Sequence, residues 1–187
     1  MYMGQPPVIR FLPGQVELSN TIRKLWVDNN RWIRALIISI VFNLRNREAI
    51  EVRLEKIADA FAGLFTQYYG QNIGDRVREN YLRYIQNLEM MIEAYRDNNL
   101  EGVAQQRQVI YGIADELAQE YSQINRYWDM ATMQILLHEL LDATESQIMS
   151  ITSGDFAKDI EEYDRFMEQA YRLADELTYG MLRQFLI

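Results

Sequence analysis

Cysteine is absent from this chain of 187 residues, histidine occurs once and proline three times. The absence of cysteine excludes disulfides, thiolate metal sites and a cysteine nucleophile. With His138 as the lone imidazole, any Ser-His-Asp arrangement would have to use it, and no Gly-x-Ser-x-Gly elbow accompanies it. Pro6, Pro7 and Pro13 all lie in the first thirteen residues. A proline inside a helix removes a donor, clashes with the preceding turn and costs about 3 kcal/mol. The long proline-free remainder, broken by few glycines, is what consecutive helices require, and it lacks the turn signals of a sheet protein. Long apolar runs are missing too. Ala35-Leu-Ile-Ile-Ser-Ile-Val-Phe42 is the most apolar, well short of the roughly 20 residues that span a bilayer. The N-terminal Met1-Tyr-Met-Gly-Gln-Pro-Pro7 has no basic segment followed by an apolar one, so no signal peptide is expected. These absences predict a soluble, cytoplasmic protein.

What is present fits one folded unit. A hydrophobic fraction of 49% against 25% charged argues against disorder. The formal net charge of −8 is uneven: residues 1–97 carry +2 and residues 98–187 carry −10. The acidic half reads first as solvated helix surface, and second as a face for cations or a basic partner. Nucleic acid is not expected, because phosphate binding needs a concentrated basic face. The one basic cluster, Arg31, Arg34, Arg45, Arg47 and Arg53, is interspersed with Glu48, Glu51 and Glu55.

Periodicity predicts an all-α, up-and-down antiparallel bundle of about six helices. Residues 1–14 read as an irregular leader and residues 15–187 as a single bundle domain. The helices are expected at 17–44 (with Ser19 or Asn20 as cap), 48–69, 75–96, 100–124, 130–151 and 156–185. Apolar steps alternating between four and three residues place one stripe on each. The last helix is the most regular, with Phe156, Ile160, Tyr163, Met167, Ala170, Ala174, Leu177 and Met181 predicted to face inward. The fourth is interrupted at Gln106 and Arg107. Helix 1 is apolar all round, which favours burial over an interfacial position on a membrane.

Ile57-Ala-Asp-Ala-Phe61, Ile113-Ala-Asp-Glu-Leu117 and Leu173-Ala-Asp-Glu-Leu177 recur at intervals of 56 and 60 residues, each in the second helix of a hairpin. The pattern suggests three copies of an αα-hairpin. Asp59, Asp115 and Asp175 either converge on a shared site or make helix–helix hydrogen bonds at the surface, the second being the commoner fate of helix-borne acids.

Metal-site candidates are few. His138 with Glu139 and Asp142 could hold one divalent ion. A ferritin-like dimetal centre is excluded, because it needs two Glu-x-x-His pairs and position 135 is Ile. Gly70-Gln-Asn-Ile-Gly74 is too short for a phosphate loop and lacks the following Lys-Ser/Thr. Three tryptophans and twelve tyrosines predict an aromatic core, part of which could line a pocket between helices. Asn29, one turn from both Trp26 and Trp32, is a buried amide that either sets packing register or belongs to a former site.

Leu25-Trp26, Trp32-Ile-Arg34, Ile37-Ile-Ser39, Asn43-Leu44, Tyr69-Gly70, Gly74, Trp128, Met133, Gly154-Asp155 and Gln184-Phe185 together resemble a family of small uncharacterised all-helical proteins of spore-forming Gram-positive bacteria, sometimes labelled acetylglutamate kinase. The kinase label is unsupported, since amino-acid kinases are α/β folds with glycine-rich loops and neither is visible. The resemblance implies an acidic residue and a histidine near the start of the first helix of each hairpin. Those positions hold Asp28 and Asn29, Arg83 and Tyr84, and Glu139 and Leu140. None of the three histidines is retained, so a metal held there in relatives is not expected here. The sequence therefore predicts no enzyme and no cofactor, but a bundle acting by protein interaction or self-association. The alternative is a small-molecule or metal-binding bundle with a degenerate site between helices 1, 3 and 5.

Overall fold

The computed structural model describes residues 13–185, which form six helices and no strand. They are α1 (Pro13–Val41), α2 (Arg47–Tyr69), α3 (Gln71–Arg96), α4 (Leu100–Ile124), α5 (Met130–Ser153) and α6 (Phe156–Phe185). The expected all-α up-and-down bundle is what the chain forms. The predicted leader at residues 1–12 lies outside the described residues. Pro13 and Gly14 are already helical; proline's fixed φ suits the first turn of a helix. Ser19 and Asn20 therefore sit inside α1 and cannot cap it.

The connections are short and chemically explicit. Asn43 (φ 51°) and Asn98 (φ 55°) take left-handed backbone at the α1–α2 and α3–α4 turns, and Gly154 (φ 76°) ends α5 the same way. Asn99 caps α4 by accepting from the Gly102 amide at 3.0 Å, and Asp129 caps α5 by accepting from the Thr132 amide at 2.9 Å. The Gly70–Gly74 stretch is no loop. Gly70 alone separates α2 from α3, and Gly74 is buried against Thr66, where a Cβ would collide.

Each helix packs on the next in chain order, and α6 closes the ring onto α1. Inside that ring α1, α3 and α5 also touch one another. The odd-numbered helices thus form a central trio, with α2, α4 and α6 in the grooves outside it. Short connections make each hairpin antiparallel, so the three inner helices run in the same direction. α1 is closely enclosed over its C-terminal half. From Asp28 to Val41 only Arg31 is exposed, and Ile33, Leu36, Ile37 and Ile40 are fully buried.

The end of the bundle where α2, α4 and α6 finish is closed by aromatic rings. Phe65 stacks on Tyr121 at 5.3 Å, and Trp128 lies 5.4 Å from Tyr121 and 5.6 Å from Tyr69. Buried Asn125 ties the α4–α5 loop beneath them, donating to the Tyr69 hydroxyl at 2.8 Å and accepting from the Tyr127 amide at 2.9 Å. Burial pushes the Tyr69 phenol up to about 12, so it stays protonated.

One register expectation fails. In α6 the inward positions at the start are Asp159, Glu162 and Phe166, while Phe156 and Ile160 are 55% and 61% exposed. The reason is Arg34 of α1, half-buried against α6, whose guanidinium pairs with the Asp159 carboxylate. Burying that pair turns the first two turns of the apolar stripe outward.

Two glycine substitutions test this packing. A Cβ at Gly180 would fall on the Trp128 indole, so Gly180→Ala is expected to destabilise by about 1–3 kcal/mol, lowering the thermal midpoint by several degrees. Gly63, exposed in mid-α2 with no atom near its would-be Cβ, is the control. Gly63→Ala should be neutral or stabilising by up to about 1 kcal/mol. Thermal unfolding of both variants checks the pair.

Candidate functional site

The inner helices carry polar groups that burial forces to find partners. Asn29 and Asn30 follow one another on α1, at 2% and 0% exposure. The Tyr81 hydroxyl of α3 donates to Asn29 Oδ1 at 2.6 Å, and Asn30 Nδ2 donates to the Phe166 carbonyl of α6 at 3.3 Å. Asn29 Nδ2 has only a long contact, 3.4 Å, to Asn30 Oδ1. The Thr144 hydroxyl of α5 donates to the Leu140 carbonyl at 2.8 Å. Burial holds the Tyr81 and Tyr84 phenols well above their ordinary value.

Asn29, Tyr84 and Leu140 do meet. They line one cavity of about 80 Å³, walled further by Trp26, Phe61 and Leu137. Its surface is overwhelmingly hydrocarbon and aromatic carbon. Asp28 stays out of it, pairing with Lys24 at 2.6 Å and reaching Arg31 and Arg53 at 3.5 Å. Arg83 turns to Glu116 of α4 at 3.0 Å.

The three metal candidates do not converge. His138 Nε2 lies 2.7 Å from Asp115 Oδ1 of α4, with the Tyr111 ring edge-on at 4.9 Å. Asp142, one turn on, accepts from the Tyr111 hydroxyl. Glu139 faces the other way and pairs with Arg172 of α6. Among the described residues no group of three or more histidine and carboxylate side chains is placed to hold a metal ion.

The repeated aspartates do not converge either; they link hairpins. Asp59 accepts from Arg78 Nε at 2.7 Å, Asp115 from Gln134 Nε2 at 2.7 Å, and Asp175 takes both Arg23 Nε and Nη2 at 2.7 Å. Each bond runs from the second helix of one hairpin to the first helix of the next, the third closing α6 onto α1. Arg78 and Gln134 stand 19 residues after their aspartates. These pairs are half-exposed and worth little energy each; they mark register along the seams.

Pattern reading missed the pairs made by isolated polar residues in apolar stripes. The break at Arg107 is one. Its guanidinium reaches Glu145 Oε2 of α5 at 2.9 Å, and the Tyr95 hydroxyl donates to the same carboxylate. Asp159 is the other, and its signal was an acid between two apolar residues four positions apart, Phe156 and Ile160. Comparison with protein-family models, with curated proteins and with solved structures finds no match.

The Gln134 hydrogen bond, and then His138, hold the Asp115 carboxyl below its ordinary value of 3.8. A depressed folded value means the stabilisation is complete above that ordinary value and is lost as pH falls through the folded one. Asp115→Asn should therefore cost about 0.5 kcal/mol or less at pH 7, the carboxylate being half-exposed. The difference from the parent should vanish in acid, where both side chains are neutral. Urea unfolding at pH 7 and below the carboxylate range measures both.

Proposed function

We propose that this protein is a non-catalytic helical bundle that acts by association, pairing with a second copy of itself through the seam between α1 and α6. The observation that carries the reading is the start of the α6 apolar stripe, where Phe156 and Ile160 stand exposed and Tyr163 and Met167 half-buried. Phe156, Ile160, Tyr163 and Met167 fall in a strip about 60° wide on α6, at 100° per residue. Phe42 extends it across the end of α1, 48% exposed, with its ring 6.3 Å from that of Phe156. Exposed apolar surface that is contiguous, rather than scattered, marks interaction sites on folded proteins.

The flanks give the occupant. On the α1 side stand Arg31, exposed, and Arg34, whose guanidinium lies 5.6 Å from the Tyr163 ring centre. On the far side of the strip, over the next 100° or so of α6, come the exposed acids Asp164, Glu168 and Glu161. A stripe with cations on one edge and anions on the other is self-complementary under a two-fold axis, the commonest symmetry of soluble oligomers. The same reading takes the three hairpins as copies of one unit, which the recurring aspartate links support. It agrees with how the reactive side chains are used: His138, Glu139 and Asp142 are each engaged in holding neighbouring helices.

Reversing the character of the strip tests this. The parent chain is expected to sediment as a dimer at micromolar concentration. Ile160→Asp, on an exposed position, should weaken the dimer at least tenfold, from the loss of one buried side chain per subunit, while the thermal midpoint of dilute protein stays within a few degrees. A parent chain that is monomeric at all concentrations defeats the proposal.

A further inference from the structure

We infer that the two copies pair with their α6 helices running parallel, about a two-fold axis that lies along the strip, and that Arg31 and Arg34 of each copy receive Asp164 of the other. The inference rests on the self-association proposed above and adds its geometry. A two-fold axis between two facing surfaces lies in the plane of contact, which leaves two limiting arrangements. An axis across α6 reverses one helix and lays each edge of the strip on the same edge of its partner, cation on cation and anion on anion. An axis along α6 keeps both helices in one direction and lays each edge on the opposite one, at the same height. With Arg31 and Arg34 on one side of the strip and acids on the other, only the second arrangement pairs unlike charges. Like charges set face to face suppress the first.

The heights of the charges agree. α1 and α6 are antiparallel neighbours, and their contacts give the register: Asn30 donates to the Phe166 carbonyl, Arg34 pairs with Asp159 beside Tyr163, and Phe42 meets Phe156. Arg31 therefore stands level with Asp164 to within about one residue, a rise of about 1.5 Å. Asp164 is also the exposed acid nearest the strip, about 40° beyond Ile160 around the helix. It has no ion pair within its own chain among the described residues. A place for it exists on the other edge. Arg31, Arg34, Ile160 and Tyr163 line a surface cleft of about 250 Å³. Arg34 gives Asp159 only Nη2, and Arg31 has one contact, 3.5 Å to Asp28. Both guanidinium groups thus keep N–H donors for an incoming carboxylate. Between the two charged edges each strip residue faces its own counterpart, Phe156 against the partner's Phe156.

Charge exchange tests the edges and cysteine cross-linking tests the axis, each variant being shown folded by its thermal midpoint. By sedimentation, Arg31→Glu and Asp164→Arg should each weaken the dimer about five- to tenfold, since each change removes two pairs and sets like charges together. The double variant should return to within about twofold of the parent. The chain has no cysteine of its own, so an introduced one reports alone. Phe156→Cys, at a concentration where it sediments as a dimer, should form a disulfide-linked dimer on mild oxidation. With the axis across mid-strip the two positions would stand more than about 15 Å apart, beyond the roughly 7 Å between Cα atoms that a disulfide tolerates. Val109→Cys, exposed on α4, is the control and should stay unlinked. If Arg31→Glu leaves the dimer unchanged or tightens it, or dimeric Phe156→Cys stays unlinked, the parallel arrangement is overturned, and Ile160→Asp still reports on the strip by itself. A monomeric parent overturns both.

Discussion

Enclosing α1 is the constraint on which the rest of this structure depends. A helix that packs against α2, α3, α5 and α6 at once can show almost no polar surface, and from Asp28 to Val41 this one obeys. The polar groups it retains are each answered from another element. Asn30 reaches the Phe166 carbonyl, Ser39 donates to Asn46 at 3.0 Å, and Arg34 takes Asp159. A buried polar group without a partner costs on the order of 1–3 kcal/mol, comparable with the packing gain of a whole side chain. These bonds therefore fix where α1 sits along its neighbours. The Trp26 indole N–H is the exception.

The Arg34–Asp159 pair has consequences at a distance. By drawing Asp159 to the inside of α6 it rotates Phe156 and Ile160 to the outside, beside Phe42. The same contact that closes the ring between α6 and α1 thus creates the exposed strip along that seam. Core and surface character are exchanged over two helical turns for a single guanidinium.

Most of the architecture was legible in the sequence because helix periodicity and caps are local. The breaks at Asn98 and Gly154 were readable as turns, and the stripes of α2 and α5 turn inward where alternating steps of three and four place them. What was not legible depends on partners. Periodicity locates an apolar stripe but not whether another element covers it, so α6 was read in the wrong register at its start. The Gly70–Gly74 stretch looked like a loop because glycine is a poor helix former, yet Gly74 is small so that α3 can pass close to Thr66. At the candidate site, His138, Glu139 and Asp142 are neighbours in sequence, but successive helix positions differ by about 100°. Glu139 therefore faces α6 while the other two face α4. Asn29, Tyr84 and Leu140 were placed together by resemblance alone; that they border one largely apolar cavity is a matter of packed volumes, which no residue pattern encodes.

Inside and outside along the α1–α6 seam can be read in one experiment, hydroxyl-radical footprinting across a range of protein concentrations. The account predicts that Leu36 and Ile37 stay unlabelled throughout, while Phe42, Phe156 and Ile160 label readily in dilute protein and become protected as concentration rises. Labelling of Ile37, or labelling of Phe156 and Ile160 that does not change with concentration, would contradict it.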